Sequence, residues 1–162
     1  MASGFLSKII SGGQTGADMG GLIAAREAGI PTGGTAPAGW QTEVGPKKAL
    51  LQSFGLVECD EPGYPARTRL NVLQSDGTLI VGNYDSGGSA LTCEIVRESR
   101  KAIFHIPFPN PTADGEIEKF RQWLHGNNVR ILNVAGNRES TSPGIGEFTR
   151  LFLLAALDRV AN

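Results

Sequence analysis

A glycine-rich segment near the N-terminus carries residue types that suit the binding of an anion. Residues 11–18 read Ser-Gly-Gly-Gln-Thr-Gly-Ala-Asp and follow the apolar pair Ile9 and Ile10. A strand that turns into a helix at such a segment can direct backbone N–H groups at an oxyanion. Plain turn chemistry is the alternative, and it has less weight because three glycines occupy five positions. The candidate ligand contacts here are Gly12, Gly13, Gln14, Thr15, Gly16 and Asp18.

A second glycine pair precedes another predicted helix. Gly87 and Gly88 would place N–H groups at the start of that helix, and Ser89 and Thr92 would add hydroxyl donors. Glu94 falls within the first two turns, where it could act as a general base or accept a hydrogen bond from a ribose hydroxyl. An exposed carboxylate that the helix dipole favours is the other interpretation, and the residues alone favour it slightly.

Two further groups of polar residues complete the candidate site. The guanidinium fork of arginine suits phosphate, although single arginines on a surface are common and spacing alone does not decide between the two. Arg138 stands just beyond a predicted strand and before a predicted helix, which is a good position for an anion contact. The candidate ligand contacts are Arg67, Arg69 and Asn71 in the first group, and Gly136, Arg138 and Ser140 in the second.

The glycine-rich segment matches neither of two common nucleotide motifs. A P-loop requires Gly-Lys-Ser or Gly-Lys-Thr, whereas Gly16 is followed by Ala17 and Asp18. The dinucleotide motif Gly-x-Gly-x-x-Gly has Ser11 in place of its first glycine, and the acidic ligand expected for ribose is missing near Thr35. A nucleoside-triphosphatase and a NAD-type site are therefore disfavoured.

Aromatic residues, histidines and cysteines add little to this chemistry. Trp40 and Tyr84 follow predicted strands and could stack on a ring, although each is more often a packing residue. The two histidines have no partner at metal-ligand spacing, so no metal site is expected. The two cysteines, far apart in the sequence, are expected to be reduced thiols in a cytoplasmic protein.

Apolar runs alternate with helical patterns, which predicts a doubly wound α/β fold. The predicted strands are 8–11, 31–36, 56–58, 78–81, 102–106 and 130–134. The predicted helices are 17–28, 46–54, 67–74, 89–100, 115–123 and a last one with Ser142 as its N-cap and Pro143 at its first position. We expect a single Rossmann-like domain over residues 1–162, a three-layer sandwich with a mainly parallel central sheet. The glycine-containing loops would then meet at the carboxyl edge of the sheet.

Two helices have distinctive faces. Gly20, Ala24 and Ala28 share one face of the first helix, which favours close approach to the sheet.

The last helix is apolar around nearly its whole circumference, from Phe148 to Leu157. Since a helix on a sheet needs only an apolar stripe, the excess predicts a homo-oligomer, either a dimer or a tetramer. Burial by neighbouring helices of the same chain is the alternative.

Composition excludes several classes of partner. The chain has 162 residues with 15 basic and 16 acidic side chains and a net charge of −1. Without a cluster of lysine and arginine, a nucleic-acid partner is not expected. No apolar run approaches about 18 residues, so no membrane span is expected. The N-terminus lacks the pattern of a signal peptide, which favours a cytoplasmic location.

The order of these motifs resembles the putative molybdenum carrier family, whose members are circularly permuted relatives of YpsA-like proteins. The resemblance spans nearly the whole chain. It rests on residues 11–18, Arg67-Thr68 with Asn71, Ser75-Asp76 with Thr78, Gly87-Gly88 through Thr92, and residues 132–136 with Arg138, Ser140 and 143–145. The wider group includes molybdenum-cofactor carriers and the "lonely guy" phosphoribohydrolases. What the resemblance implies is a phosphorylated small-molecule ligand, either molybdenum cofactor or a nucleotide, bound on glycine-rich loops.

The same resemblance leaves an enzymatic alternative. In the phosphoribohydrolases a Pro-Gly-Gly-x-Gly-Thr-x-x-Glu motif supplies a catalytic glutamate, and Glu94 is the residue similar to it. With the motif aligned on its threonine at Thr92, Leu91 stands where the motif has glycine, and Glu94 comes one position early, which turns its carboxylate by about 100° on a helix. The sequence therefore leaves two alternatives to the carrier function: a hydrolase of nucleotide N-glycosidic bonds and a nucleotide-sensing protein.

Overall fold

In the part of the chain that the structure describes, six α-helices and eight strands alternate as expected of an α/β fold. The computed structural model describes residues 5–85, 87–110 and 113–161, the last four of these without their side chains. The strands are β1 Lys8–Ile10, β2 Thr32–Ala36, β3 Gln41–Thr42, β4 Gly45–Pro46, β5 Leu56–Glu58, β6 Gly77–Val81, β7 Ala102–Ile106 and β8 Ile131–Gly136. The helices are α1 Ala17–Glu27, α2 Lys48–Ser53, α3 Tyr64–Gln74, α4 Gly87–Ser99, α5 Asp114–Gly126 and α6 Ile145–Ala161.

The central sheet has six strands in the order β5-β2-β1-β8-β6-β7, and each neighbouring pair is parallel. Ile9 of β1 lies opposite Thr32 of β2 on one side and Leu132 of β8 on the other. β3 and β4 form a separate antiparallel hairpin. The prediction of a Rossmann-like sandwich with a parallel central sheet is confirmed.

Helices cover both faces of the sheet. On one face α1, α5 and α6 enclose the largest apolar core, in which Ile9, Leu132 and Val134 of the sheet meet Phe120 and Leu153. On the other face α3 and α4 pack together through a smaller cluster of Val72, Ile95 and Val96. Within the described residues, no helix is both long and apolar enough to cross a membrane.

The apolar circumference of α6 is largely covered inside one chain. The helix packs on α1 and α5, and Phe152, Leu153 and Ala156 are buried in the main core. Leu151 is the large apolar side chain of α6 that stays exposed, at 51%. The alternative of burial by neighbouring helices therefore accounts for most of this helix, which does not by itself require a second chain.

Several element ends differ from the sequence prediction by one to three residues, and two of these differences have a local cause. α3 begins at Tyr64, three residues earlier than expected, because Pro65 fits the first turn of a helix. α6 begins at Ile145, and the hydroxyl of Ser142 donates to Asn137 Oδ1 (3.4 Å) instead of capping the helix. The carboxylate of Glu139 performs that role, since it accepts the N–H groups of Gly144 (2.6 Å) and Gly146 (3.1 Å).

Gly20, on the small-residue face of α1, faces a helix and not the sheet. A Cβ on Gly20 would overlap the carbonyl oxygen of Gly146 and lie 3.0 Å from Cβ of Thr149, both next to or within α6. The neighbouring Gly21 is the glycine that faces the sheet, at Val134. The expected contact of Gly20 with the sheet is therefore corrected: this glycine sets the spacing between α1 and α6.

We expect Gly20→Ala to lower the free energy of unfolding by about 1–3 kcal/mol, because backbone atoms of α6 must move to admit the methyl group. Urea denaturation measures this change. Gly115→Ala is the control, since a Cβ at this helical position meets no described atom within 4 Å. It should be neutral or stabilising by up to about 1 kcal/mol. Equal stabilities for Gly20→Ala and wild type would contradict the packing described here.

Candidate functional site

A cavity of about 470 Å³ opens at the carboxyl edge of the sheet, on the side of α3 and α4. Its walls come from the start of α1, the first turns of α3 and α4, and the loop after β8. Nine of the residues expected from the sequence line it: Gln14, Asp18, Arg67, Gly87, Gly88, Ser89, Thr92, Gly136 and Arg138. The convergence of loops at this edge therefore brings residues from four separate segments into one space.

A buried ion pair forms one wall of the cavity. Arg67 Nη1 lies 3.6 Å from Asp18 Oδ2, and the two side chains are 14% and 6% exposed. The ring of Tyr64 stands beside two guanidinium groups, since Cζ of Arg67 lies 5.3 Å and Cζ of Arg138 lies 5.5 Å from its centroid. Cation–π attraction of this kind holds both arginines near the cavity.

Most amide groups of the glycine-rich turn are occupied within the turn itself. Asp18 accepts the N–H groups of Gln14 (3.1 Å, to Oδ2) and Gly12, and the hydroxyl of Ser11 accepts the N–H of Gly13 (3.3 Å). Thr15 donates its N–H to the side-chain oxygen of Gln14 (3.1 Å). The expected oxyanion cradle of backbone N–H groups is thus corrected, because four of these donors already have acceptors in the same segment.

Asp18 is the electrostatic centre of the turn. Burial raises the pKa of its carboxyl above the ordinary value, although the Arg67 guanidinium and the N–H groups of Gln14 and Gly12 act in the opposite direction. The carboxylate is thereby held by two amides and a cation, which leaves it little capacity to repel an anion in the cavity. A Cβ on Gly12 would overlap the guanidinium of Arg67, so a larger residue at this position would displace that side chain.

Two buried nitrogen donors at the cavity have no acceptor. Gln14 Nε2 and Arg67 Nε are both buried and make no hydrogen bond within the part of the chain that the structure describes. The amide of Gln14 is oriented by its oxygen, which accepts the N–H of Thr15 and the N–H of Glu43 (2.8 Å). Buried donors are rarely left unpaired, so these two groups are the donors of the cavity wall that stay available for a further acceptor.

The first turn of α4 forms the opposite wall. Gly87, Gly88 and Ser89 line the cavity, so the positive end of the α4 dipole faces it. The hydroxyl of Thr92 donates to the carbonyl of Gly88 (2.9 Å). Asn137 Nδ2 donates to Ser89 Oγ (3.4 Å) and to the carbonyl of Asn83 (2.8 Å). This network fixes the α4 wall against the loop after β8.

Four of the expected contacts lie on the far side of the glycine-rich turn. They line a second, more apolar cleft of about 560 Å³ beside α2 and the β3–β4 hairpin: Gly13, Thr15, Gly16 and Ser140. A Cβ on Gly13 would lie 2.8 Å from Cδ2 of Leu51, and one on Gly16 would overlap the carbonyl of Asn137. Both glycines also have positive φ angles, so their role in this structure is to permit close packing of the turn.

Four other predicted residues lie outside both spaces, and one of them, Gly12, lies against the guanidinium of Arg67. Arg69 is exposed and pairs with Glu98 at 3.9 Å. Asn71 is buried and bonds the backbone of Thr35, donating from Nδ2 to its carbonyl (3.0 Å) and accepting its N–H at Oδ1 (2.8 Å). Glu94 is exposed and is not among the described residues that line the cavity, because its position on α4 is turned away from Thr92 by about 160°.

Several lining residues were not expected as contacts from the sequence: Tyr64, Pro65, Thr68, Leu91, Ala135, Asn137 and Thr141. Tyr64 and Pro65 could have been found from the proline that marks the start of α3. Of the two aromatic residues considered, Trp40 is buried in the cluster around Leu51, and Tyr84 packs edge-on against His105 with ring centroids 4.0 Å apart. Neither lines the cavity.

Among the described residues, no group of three or more His, Cys, Asp and Glu side chains is arranged to hold a metal ion. The donors that line the cavity are nitrogen and hydroxyl groups, which suit an anion.

The fold and the cavity define a Rossmann-like α/β domain with a polar cavity at the carboxyl edge of its sheet. The family model described as "Circularly permutated YpsA SLOG family" matches residues 9–157, and the chain belongs to this family. It is also similar to the crystal structure titled as a putative molybdenum carrier protein from Syntrophus aciditrophicus SB. That match has 36% identity and a TM-score of 0.86, and covers 94% of this chain and 95% of the other. Comparison with curated proteins gives no match.

Proposed function

We propose that the cavity binds a phosphorylated, nucleotide-like small molecule and that Arg67, Gln14 and the α4 N-terminus hold its phosphate group. The observation that carries this proposal is the pair of buried donors that have no acceptor among the described residues, Gln14 Nε2 and Arg67 Nε. A phosphate oxygen is the kind of acceptor that both an amide and a guanidinium bind well.

The charges around the cavity support an anionic ligand. Arg67 is balanced by Asp18, whereas Arg138 is exposed and adds a positive charge at the mouth. Asp18 is the one carboxylate among the lining residues in the described part of the chain. With the α4 dipole added, the cavity has an excess of positive potential, and a phosphate would balance it.

The size of the cavity supports a ligand larger than phosphate alone. A volume of about 470 Å³ lies within the range of ordinary small-molecule sites. Tyr64, Leu91 and Ala135 give the lining an apolar portion beside the donors. A ring system attached to the phosphate would contact these side chains.

Molybdenum cofactor is one member of this ligand class, and a nucleotide is another. The similar structure is titled a putative molybdenum carrier protein, and the cofactor's terminal phosphate would present the same oxyanion to Arg67 as a nucleotide does. Mass spectrometry of small molecules that copurify with the protein, with elemental analysis for molybdenum, separates the two. Stoichiometric pterin and molybdenum would support the carrier function, and a copurified nucleotide without molybdenum would replace it.

The position of Glu94 sets an expectation for the hydrolase alternative. We expect Glu94→Gln to leave the Kd for adenosine 5′-monophosphate (AMP) unchanged within about twofold, because its side chain is exposed and points away from Thr92. Calorimetry measures the Kd, and chromatography of free adenine measures hydrolysis. Release of adenine by wild type that disappears in Glu94→Gln would restore the enzymatic interpretation.

A further inference from the structure

The β3–β4 hairpin is tied to two loops of the cavity by one carboxylate, that of Glu43. The carboxylate accepts hydrogen bonds from the hydroxyl groups of Thr15 and Ser140. It also accepts the N–H of Ser140 at 3.1 Å. These bonds join segments that are 28 and 97 residues away from Glu43 in sequence. Glu43 itself lies on the second cleft and does not line the cavity.

The two segments that Glu43 joins each carry a donor of the cavity. Thr15 follows Gln14, and Ser140 is two residues after Arg138. The hydroxyl of Thr15 also accepts the N–H of Glu139 (3.2 Å), so the two loops are bonded to each other as well as to Glu43. The carboxylate of Glu43 is therefore one of the links that fix the positions of Gln14 and Arg138 relative to each other.

The backbone of Glu43 has a second effect, on the orientation of an amide. Its N–H donates to Gln14 Oε1 at 2.8 Å, and the N–H of Thr15 donates to the same oxygen at 3.1 Å. With its oxygen occupied, the amide of Gln14 must direct Nε2 elsewhere, and this is the buried nitrogen without an acceptor. The hairpin thus fixes which end of the Gln14 amide is left for a ligand.

We propose that Glu43 is a positioning residue of the cavity, which holds the glycine-rich turn and the loop after β8 together and leaves Gln14 Nε2 oriented for a ligand acceptor. The part of this inference that concerns affinity rests on the proposed binding of a phosphorylated ligand. Hydrogen bonds from Ser140 and Thr15 lower the pKa of the Glu43 carboxyl, so the ionised form that accepts them is the one present at neutral pH.

The first test needs no ligand. In Glu43→Ala, we expect the amide protons of Thr15, Glu139 and Ser140 to exchange with solvent about tenfold faster or more, as measured by NMR on ¹⁵N-labelled protein. Glu58→Ala is the matched control, because Glu58 Oε2 accepts the N–H of Gly39 (2.5 Å) and does not bond either cavity loop. Unchanged exchange at these three amides would overturn the proposal, whatever the protein binds.

The second test separates positioning from general stability. We expect Glu43→Ala to weaken AMP binding about tenfold, and Glu43→Ala combined with Gln14→Ala to bind no more weakly than Gln14→Ala alone. If the losses of affinity in Glu43→Ala and Gln14→Ala multiply in the double variant, the positioning role is overturned. A lower Tm with an unchanged Kd in Glu43→Ala would also overturn it. Val44→Ser, an exposed change on the same turn, is the control and should leave the Kd unchanged. If wild type binds neither AMP nor GMP, the proposed function fails, and the exchange experiment still decides the role of Glu43.

Discussion

Arg67→Lys is expected to weaken the binding of AMP by about 10- to 100-fold while the protein stays folded. Lysine keeps a positive charge near Asp18, whose carboxylate lies 3.6 Å from Nη1 of Arg67 in the wild type. It does not reproduce the guanidinium fork, and it has no counterpart of the buried Nε, which lacks an acceptor among the described residues. A hydrogen bond to a charged group contributes about 1.5–3 kcal/mol, which sets the expected loss. Calorimetry measures the Kd, and thermal denaturation checks the fold.

Arg69→Lys supplies the matched control for this experiment. Arg69 lies two residues away on the same helix, but it is 55% exposed and its partner is Glu98. We expect its replacement to change the Kd by less than about twofold, since an exposed ion pair contributes little. Equal losses in the two variants would mean that general positive charge, and not the cavity, binds the ligand.

Asn71→Leu is expected to have the largest effect on stability, a loss of about 2–6 kcal/mol in the free energy of unfolding. Both backbone groups of Thr35 would lose their hydrogen-bond partner in a place where Asn71 and Thr35 are each about 2% exposed. Each buried polar group left unpaired costs about 1–3 kcal/mol. Since small proteins are stable by only about 5–15 kcal/mol, this variant would approach the limit of folding.

Urea denaturation measures the loss, and Gln74→Leu is the control. It makes the same type of change at the exposed end of α3 and should shift the free energy of unfolding by less than about 0.5 kcal/mol. If Asn71→Leu unfolds at the wild-type urea concentration, Asn71 is not the link between α3 and β2 that its contacts indicate. A loss of AMP affinity without a loss of stability would instead return Asn71 to the ligand site.

The alternation of strands and helices could be predicted because it rests on local patterns. β6 and β7 are short apolar runs bounded by polar residues, and glycines mark the ends of α1 and α2. Since parallel strands end at one edge, the convergence of their loops followed from the same pattern. The hairpin of residues 41–46 was missed, because its two-residue strands are too short to show a period.

Which atoms of a loop face the cavity could not be predicted from the sequence. Positions 67 and 69 both carry arginine. Because residues two apart on a helix point about 200° away from each other, the two side chains face different surroundings. The N–H groups of the glycine-rich turn are taken by Asp18, Ser11 and Gln14 of the same segment. The anion site at this edge stays a prediction from the loop sequences, and the donors that line the cavity depend on three-dimensional contacts.

Long-range contacts explain why the roles of Asn71 and Glu43 differ from what the sequence indicates. Asn71 bonds a residue 36 positions earlier, and Glu43 bonds one 97 positions later. No local pattern indicates such pairs, because the partners are brought together only by the packing of α3 on β2 and of the hairpin on the loop after β8. The sequence therefore predicts Asn71 as a ligand contact and gives no indication of the role of Glu43.

Calorimetric titration of wild-type protein with AMP and with adenosine tests the central claim most directly. The two molecules differ only in the phosphate, and the account assigns that group to Arg67, Gln14 and the start of α4. We expect AMP to bind at least about tenfold more tightly than adenosine, with the difference removed in Arg67→Lys. Equal affinities for AMP and adenosine, or a preference for AMP that persists unchanged in Arg67→Lys, would contradict a phosphate site in this cavity.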